Sequence, residues 1–452
     1  MAHWVITHQN EDGSWAGGIS ETAWGLRCLA EFRSGPAFAK LQYAPGIHNS
    51  AWNERPSDVR NFTAYLGYYC YCATPQRWEL FNLSQPLGDL LDMPVLFVSG
   101  NNELDFDEAQ IKKLRAFVEH SGLILGNADC GNAAFAASFR TLGRTLFPHY
   151  AFRELPQSHV IFSDEMFHAR KWRKHPVVEG MSNGIRELLI LIPQADFSLA
   201  WQHVARKTQV ESFQLAANIH LYATDKEANL SYAGAIAPAS KSNRPRRSIR
   251  VARLQVGDNW NPEPRAWPRM AEFMELNCNV KLVSEAVKPD PAHMIGFNVA
   301  HLTGTTAFSL TPTERDELKS FVNNGGVLLI DAAGGSTEFA DAAQKELKLV
   351  FGDPAKELDS AIGLDALKSK QAGYVPIERI EYRNYARNLI NGSVHVSHLR
   401  AMHWNGRVAV VFSREDLTAG MAAIHSDGIN GYKASTASAI VRNLLLYAMG
   451  PV

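Results

Sequence analysis

Cysteine is scarce in this chain: five residues in 452, namely Cys28, Cys70, Cys72, Cys130 and Cys278, scattered and odd in number. Such a set builds no disulfide framework and is compatible with a reducing compartment. Long hydrophobic runs are missing too, since none approaches the roughly 18 apolar residues that span a bilayer as a helix. No signal-peptide layout follows Met1, so the chain as given reads as soluble and cytoplasmic, with export left open if a signal precedes it. Neither sign of charge dominates. The 45 Lys and Arg balance 46 Asp and Glu, which gives no electrostatic reason to expect nucleic acid or an anionic membrane as partner. One basic run, Lys241, Arg244, Arg246, Arg247 and Arg250, lies among Pro, Ser and Asn and reads as a solvated linker.

What is present is ample core material, 46% hydrophobic against 20% charged residues, in a chain long enough for about three units at ~150 residues each. A repeat organises it. Pro94 to Gly100 (PVLFVSG) aligns with Asn298 to Gly304 (NVAHLTG), an offset of 204. The same offset, without a gap, carries Leu114 onto Leu318, Phe117 onto Phe321, Gly122 onto Gly326, Gly131 onto Gly335 and Phe135 onto Phe339. Each copy opens with a continuous apolar run ending at glycine, the pattern of a strand buried on both faces. Asp107 to Gln110 and Thr311 to Glu314 then give capping boxes, the second with Pro312 at the first helical position. A second strand follows, Leu123–Leu125 or Val327–Ile330, then a small-residue turn and another amphipathic helix. Strand, helix, strand, helix with short connections predicts a parallel sheet covered on both faces.

The repeat extends outward with insertions: Lys40-Leu41-Gln42 answers Arg253-Leu254-Gln255, and Trp52-Asn53 answers Trp260-Asn261. Toward the ends, Glu187 to Ile192 with Asp196 answers Arg407 to Phe412 with Asp416, and Asn218 to Ala223 (NIHLYA) answers Asn443 to Ala448 (NLLLYA). Each copy is therefore expected to close with a helix.

Ahead of the first copy stands Gln9-Asn10-Glu11-Asp12-Gly13-Ser14-Trp15, followed by a helical stretch through Trp24 and Leu29. This resembles one repeat of the prenyltransferase and squalene-cyclase α/α-barrel superfamily. One unit cannot bury its own apolar face, so it reads as the remnant of a longer helical domain. The large copies resemble the bacterial family of domain of unknown function 4159. The residues behind that resemblance are the Arg253-Leu254-Gln255 opening, the Val95 to Gly100 strand, Gly325 to Asp331, Leu155-Pro156-Gln157-Ser158-His159 with Phe162, and Asn443 to Ala448. The resemblance implies a flavodoxin-like or class I glutamine amidotransferase-like fold, and no particular reaction. The expected architecture is α/β: a helical remnant over 1–37, a three-layer domain with a mainly parallel sheet over 38–230, a basic linker over 231–249, and a second such domain over 250–452.

Ligands of open α/β sheets sit beyond the carboxyl ends of the strands, which directs attention to two turns. In copy one this is Asn127 to Asn132, where Cys130 at a helix start is the candidate nucleophile and His149, His159 and His168 are candidate bases, His159 first because its segment reads as a loop. Asn127, Asp129 and Gly131 are the candidate ligand contacts there; Asp331, Gly334, Gly335 and Ser336 are those of copy two. Copy two has Gly334 where copy one has Cys130. No Walker lysine or complete G-x-G-x-x-G accompanies the turns, and no nucleotide or other cofactor is expected. Cys70-Tyr71-Cys72 would put two thiols on one strand face, and His395 and His398 would point to opposite faces of a strand. Neither has a second ligand pair at zinc spacing, and no metal is expected. Asp196 and Asp416 read as turn or helix-cap aspartates. Two functions stand side by side: a non-catalytic module binding a small anionic ligand or a protein partner, and a cysteine-dependent hydrolase or amidotransferase-like enzyme using copy one. One helical repeat builds no cavity for isoprenoid chemistry.

Overall fold

A computed structural model describes residues 8–10, 12, 14–15, 18–23, 36–43, 51–72, 76–163, 165–227, 247–359, 364–390 and 394–450. Two compact units form, one from Met1–Val118, Gly122–Met181 and Leu188–Ala233, the other from Glu119–Ser121, Ser182–Glu187 and Gly234–Val452.

The strands of the first copy are β1 (Pro36–Gln42), β2 (Arg77–Asn82), β3 (Val95–Gly100), β4 (Leu123–Ala128), β5 (Phe152–Glu154), β6 (Glu179–Ser182) and β7 (Glu187–Ile192). They lie in the order β2-β1-β3-β4-β7-β6-β5. The first five are parallel neighbours, and β5 pairs antiparallel with β6. Every residue of β3, β4 and β7 is buried, as the unbroken apolar runs require. Val95 and Phe97 face one core with Phe62, Trp201 and Phe213, while Leu96 and Val98 face another with Leu114, Phe117, Phe135 and Phe139. These side chains come from helices α1 (Asp58–Cys70), α2 (Glu108–Glu119), α3 (Ala133–Leu146), α4 (Phe197–Gln202) and α5 (Val210–Ala223), so helices cover both faces of the sheet.

The second copy repeats the plan with β8 (Arg247–Leu254), β9 (Val280–Val287), β10 (Val299–Gly304), β11 (Val327–Ala332), β12 (Arg400–Trp404) and β13 (Arg407–Ser413). Read from β9, the order is β9-β8-β10-β11-β13-β12, the same succession as in copy one. Five strands are again parallel, with β12 antiparallel at the edge. Its helices include α6 (Ala266–Cys278), α7 (Pro312–Asn323), α8 (Thr337–Phe351), α9 (Thr418–Met421) and α10 (Ala434–Ala448).

The internal offset holds at the level of register. Val95 to Gly100 pair with Leu123 to Ala128, and Val299 to Gly304 pair with Val327 to Ala332, position for position. Both predicted capping boxes form, through Asp107 with Gln110 and Thr311 with Glu314. Gly122 and Gly326 show why a glycine recurs: a Cβ there would come within 2.3 Å of the rings of Phe117 and Phe321.

Some local expectations are corrected. Cys70 ends α1 and Cys72 follows it at φ 51, so the two thiols do not share a strand face. The apolar positions Val59, Phe62 and Leu66 already had helical spacing, which outweighs the short C-x-C pattern. His395 and His398 precede β12 in irregular chain, and His398 sits 3.2 Å from Glu415. Trp24, Leu29, Lys241, Arg244 and Arg246 lie outside the described residues. Near the start, Trp15 is buried and its N–H donates to Thr22, while Ser14 folds onto Asp12. Among the described residues no helix is long and apolar enough to cross a membrane.

Candidate functional site at the carboxyl edge

The turns after β4 and β11 are built alike. The middle residue of each lies in the left-handed region, Cys130 at φ 53, ψ 23 and Gly334 at φ 69, ψ 0. Its N–H donates to an aspartate, 2.8 Å from Asp196 Oδ2 in copy one and 2.7 Å from Asp416 Oδ2 in copy two. The other oxygen of that aspartate caps the next helix, accepting from Leu199 N–H at 2.7 Å or Ala419 N–H at 2.8 Å. One carboxylate thus ties the turn after one strand to the helix start after its neighbour. The following helices are capped by Asn132 on Phe135 N–H and Ser336 on Phe339 N–H.

The next layer inward differs in chemistry but not in geometry. Asn127 accepts from Phe197 N–H and donates to Asp129; Asp331, its counterpart, accepts from the N–H groups of Leu417 and Thr418 and from the Thr418 hydroxyl. Asp331 also meets His301 Nε2 at 2.6 Å, and Trp267 donates its indole N–H to His301 Nδ1 at 3.0 Å. With Nδ1 accepting, the ring proton facing Asp331 is on Nε2. Burial opposes ionisation of Asp331, yet the His301 contact and the backbone donors outweigh it and hold the carboxyl below its usual range. Asp416 moves the other way, raised by burial and by the charge of Asp331.

Copy one holds a buried ion pair of its own, at positions other than those of the histidine cluster: Lys40 answers Arg253, and His301 answers Phe97. Lys40 Nζ is 2.8 Å from both Asp58 oxygens and 2.9 Å from the Arg55 carbonyl, with the Ser198 hydroxyl on Asp58 at 2.7 Å. Lys40 and Asp58 are both enclosed, and burial lowers the lysine.

The exposed part of the copy-one edge centres on Arg55. Its Nη2 is 3.7 Å from both Asp196 Oδ2 and Cys130 Sγ, and its Nη1 is 3.8 Å from Glu54. Arg55 Nε is buried without a hydrogen-bond partner, as is Asn101 Oδ1, whose amide nitrogen donates to Glu54 at 2.8 Å. Burial and the charge of Asp196 push the Asp129 carboxyl up to about 7, against the Asn127 hydrogen bond and Arg55. The Cys130 thiol is exposed and raised, first by its hydrogen bond to Asp196 and then by that residue's charge.

The residues singled out from sequence divide accordingly. Asn127, Asp129 and Asp331 are enclosed, with side-chain hydrogen bonds inside the protein; Gly131, Gly334, Gly335 and Ser336 are half-buried at the turns. Gly335 lies under Asn430, where a Cβ would come within 2.5 Å, and Ser336 donates to the Thr305 carbonyl. The pairing of Cys130 with His159 is not formed. Cys130 contacts Arg55 and Asp196, whereas the His159 ring lies 5.7 Å from Tyr222 on α5. Neighbouring His220 bonds to the backbone of Ala37 at the start of β1, so that end of α5 lies at the amino edge of the sheet, opposite Cys130. His168 bonds to the Ser163 carbonyl. Arg55 and Asn101 were not singled out from sequence, although the Trp52-Asn53 match already set Arg55 against Glu263, opposite in charge.

The family model described as domain of unknown function (DUF4159) matches residues 37–224 and again 250–449. No curated protein matches the chain. Among solved structures, a candidate phosphosugar isomerase from Silicibacter pomeroyi DSS-3 aligns at 8% identity over 68% of this chain and 77% of that one, with a TM-score of 0.18, too low to support any argument.

Proposed function

Because the chain belongs to the DUF4159 family and carries its domain twice, we propose that it is a non-catalytic ligand-binding module whose first copy takes a small anion at the carboxyl edge, between the ends of β1 and β3. The main support is the unpartnered donor there, Arg55 Nε, buried in a guanidinium whose other nitrogens make only loose contacts. A buried donor left unpaired costs ~1–3 kcal/mol, and a bound oxyanion would remove that cost. The strand succession β2-β1-β3-β4-β7 agrees with a flavodoxin-like order, in which ligands sit at the β1/β3 switch point. The buried Trp15 in its Asp12–Thr22 turn fits the helical-repeat remnant.

A thermal-shift titration with inorganic phosphate tests the reading. The midpoint should rise with phosphate in the wild type and stay flat in Arg55→Gln, since a ligand at about 100 times its Kd adds ~2.7 kcal/mol. No rise, or the same rise in both proteins, contradicts it.

The alternative, a cysteine-dependent hydrolase or amidotransferase-like enzyme, has one observation in its favour. Cys130 is an exposed thiol in a left-handed strand-to-helix turn, the placement used by nucleophile elbows. Against it stand the carboxylate at the thiol and, among the described residues, the lack of any imidazole in the contacts of Cys130.

A further inference from the structure

We infer that the second copy holds a separate site for a small organic oxyanion, one carboxylate or phosphate head on an apolar body, at the amino edge of its sheet. A cleft of about 370 Å³ opens there, within the ~300–1,000 Å³ typical of small-molecule sites. Val327 and Arg407, the first residues of β11 and β13, form its floor, and Tyr447 and Ala448 at the end of α10 form one wall. Lys368 and Lys370 stand at its mouth, both exposed.

Charge and donors agree on the ligand. Among the described residues no Asp or Glu lines the cleft, and neither lysine is paired with a carboxylate. Arg407 is fixed by donating to the Val322 and Gly326 carbonyls, so its positive charge is held in place at the end of α7. The Tyr447 hydroxyl accepts from Val408 N–H at 2.9 Å, leaving its own proton free to donate. Val327, Ala448, the tyrosine ring and the lysine stems supply apolar lining, and Ser369, whose hydroxyl donates to the Leu446 carbonyl, completes it with Gly325 and Gly450. Copy one has Glu187 in the place of Arg407, so this cation is particular to copy two.

Calorimetric titration of the full chain with phenyl phosphate, alongside inorganic phosphate, tests this inference. Phenyl phosphate should bind at least about tenfold more tightly than inorganic phosphate, and Lys368→Gln/Lys370→Gln should weaken it about tenfold or more. Both lysines are exposed, so the double variant should keep the wild-type melting midpoint. Arg55→Gln should leave the component of phenyl phosphate binding that depends on Lys368 and Lys370 unchanged, which separates this site from the copy-one edge. Absence of binding, equal affinity for the two probes, or unchanged affinity in the lysine variant overturns the inference. Loss in Arg55→Gln alone would move the anion to copy one and overturn this site while supporting the other.

Discussion

Replacing Asp416 by Ala removes the carboxylate that joins the turn after β11 to the start of α9. Three backbone donors lose their acceptor, Gly334, Ala419 and Gly420, in a place water does not reach. Each orphaned donor costs ~1–3 kcal/mol, and the loss of a carboxylate that burial and Asp331 already disfavour offsets part of that. The net expectation is a destabilisation of ~2–4 kcal/mol. Asp196→Ala orphans two donors, Cys130 and Leu199, at a side chain 12% exposed, where water can substitute, and should cost ~1–2 kcal/mol. Asp416→Asn keeps one acceptor oxygen and removes the buried charge, so it should cost less than Ala. Two compact units make a single two-state fit unsafe, and hydrogen exchange resolved to β11 and α9 under increasing urea is the suitable assay. If Asp416→Ala changes the protection of those elements by less than about 0.5 kcal/mol, the carboxylate does not hold the turn and the reasoning fails.

Gly122→Ala and Gly326→Ala should each destabilise by ~1–3 kcal/mol, because the new methyl meets an aromatic ring at 2.3 Å; unchanged melting would show that the rings move away freely. Cys130→Gly should be neutral or stabilising by up to ~1 kcal/mol, since it relieves a left-handed non-glycine residue, while Gly334→Ala should destabilise; matching signs in urea unfolding would refute the equivalence of the two turns. Asp129 has a folded-state pKa raised from 3.8 to about 7, so the folded protein holds its proton more tightly than the unfolded chain. That contribution is full below about pH 4 and is lost as pH rises through 7, by up to roughly 4 kcal/mol. Asp129→Asn should flatten the stability profile over pH 4–7; an unchanged slope contradicts the assignment.

The sheets were legible in sequence because two-sided burial leaves an unbroken apolar run, and because Val95 to Gly100 and Asn298 to Gly304 repeat that run with the same glycine stop. The aspartate tie was half legible. Asp196 and Asp416 recur at matching positions as cap residues, but only the fold brings Cys130 and Gly334 onto them. His159 was misplaced for a physical reason: loop character does not tell which edge of a sheet a loop occupies. Cys130 gave no warning of its left-handed backbone, which glycine at the matching position does announce. Arg55 was missed because a guanidinium nitrogen left without a partner is a property of packing, not of local pattern. The cluster of His301, Asp331 and Trp267 joins residues from β10, β11 and α6, and no short motif links them.

The central claim, that the conspicuous thiol of this chain is not a nucleophile, is tested most directly by peptide-resolved iodoacetamide labelling of Cys130 in the folded protein against pH. The carboxylate of Asp196 beside the thiol predicts a labelling rate that rises only above pH ~8.5, the ordinary thiol range. An apparent pKa below about 7 would mean an activated thiolate, and would contradict the account in favour of the enzyme.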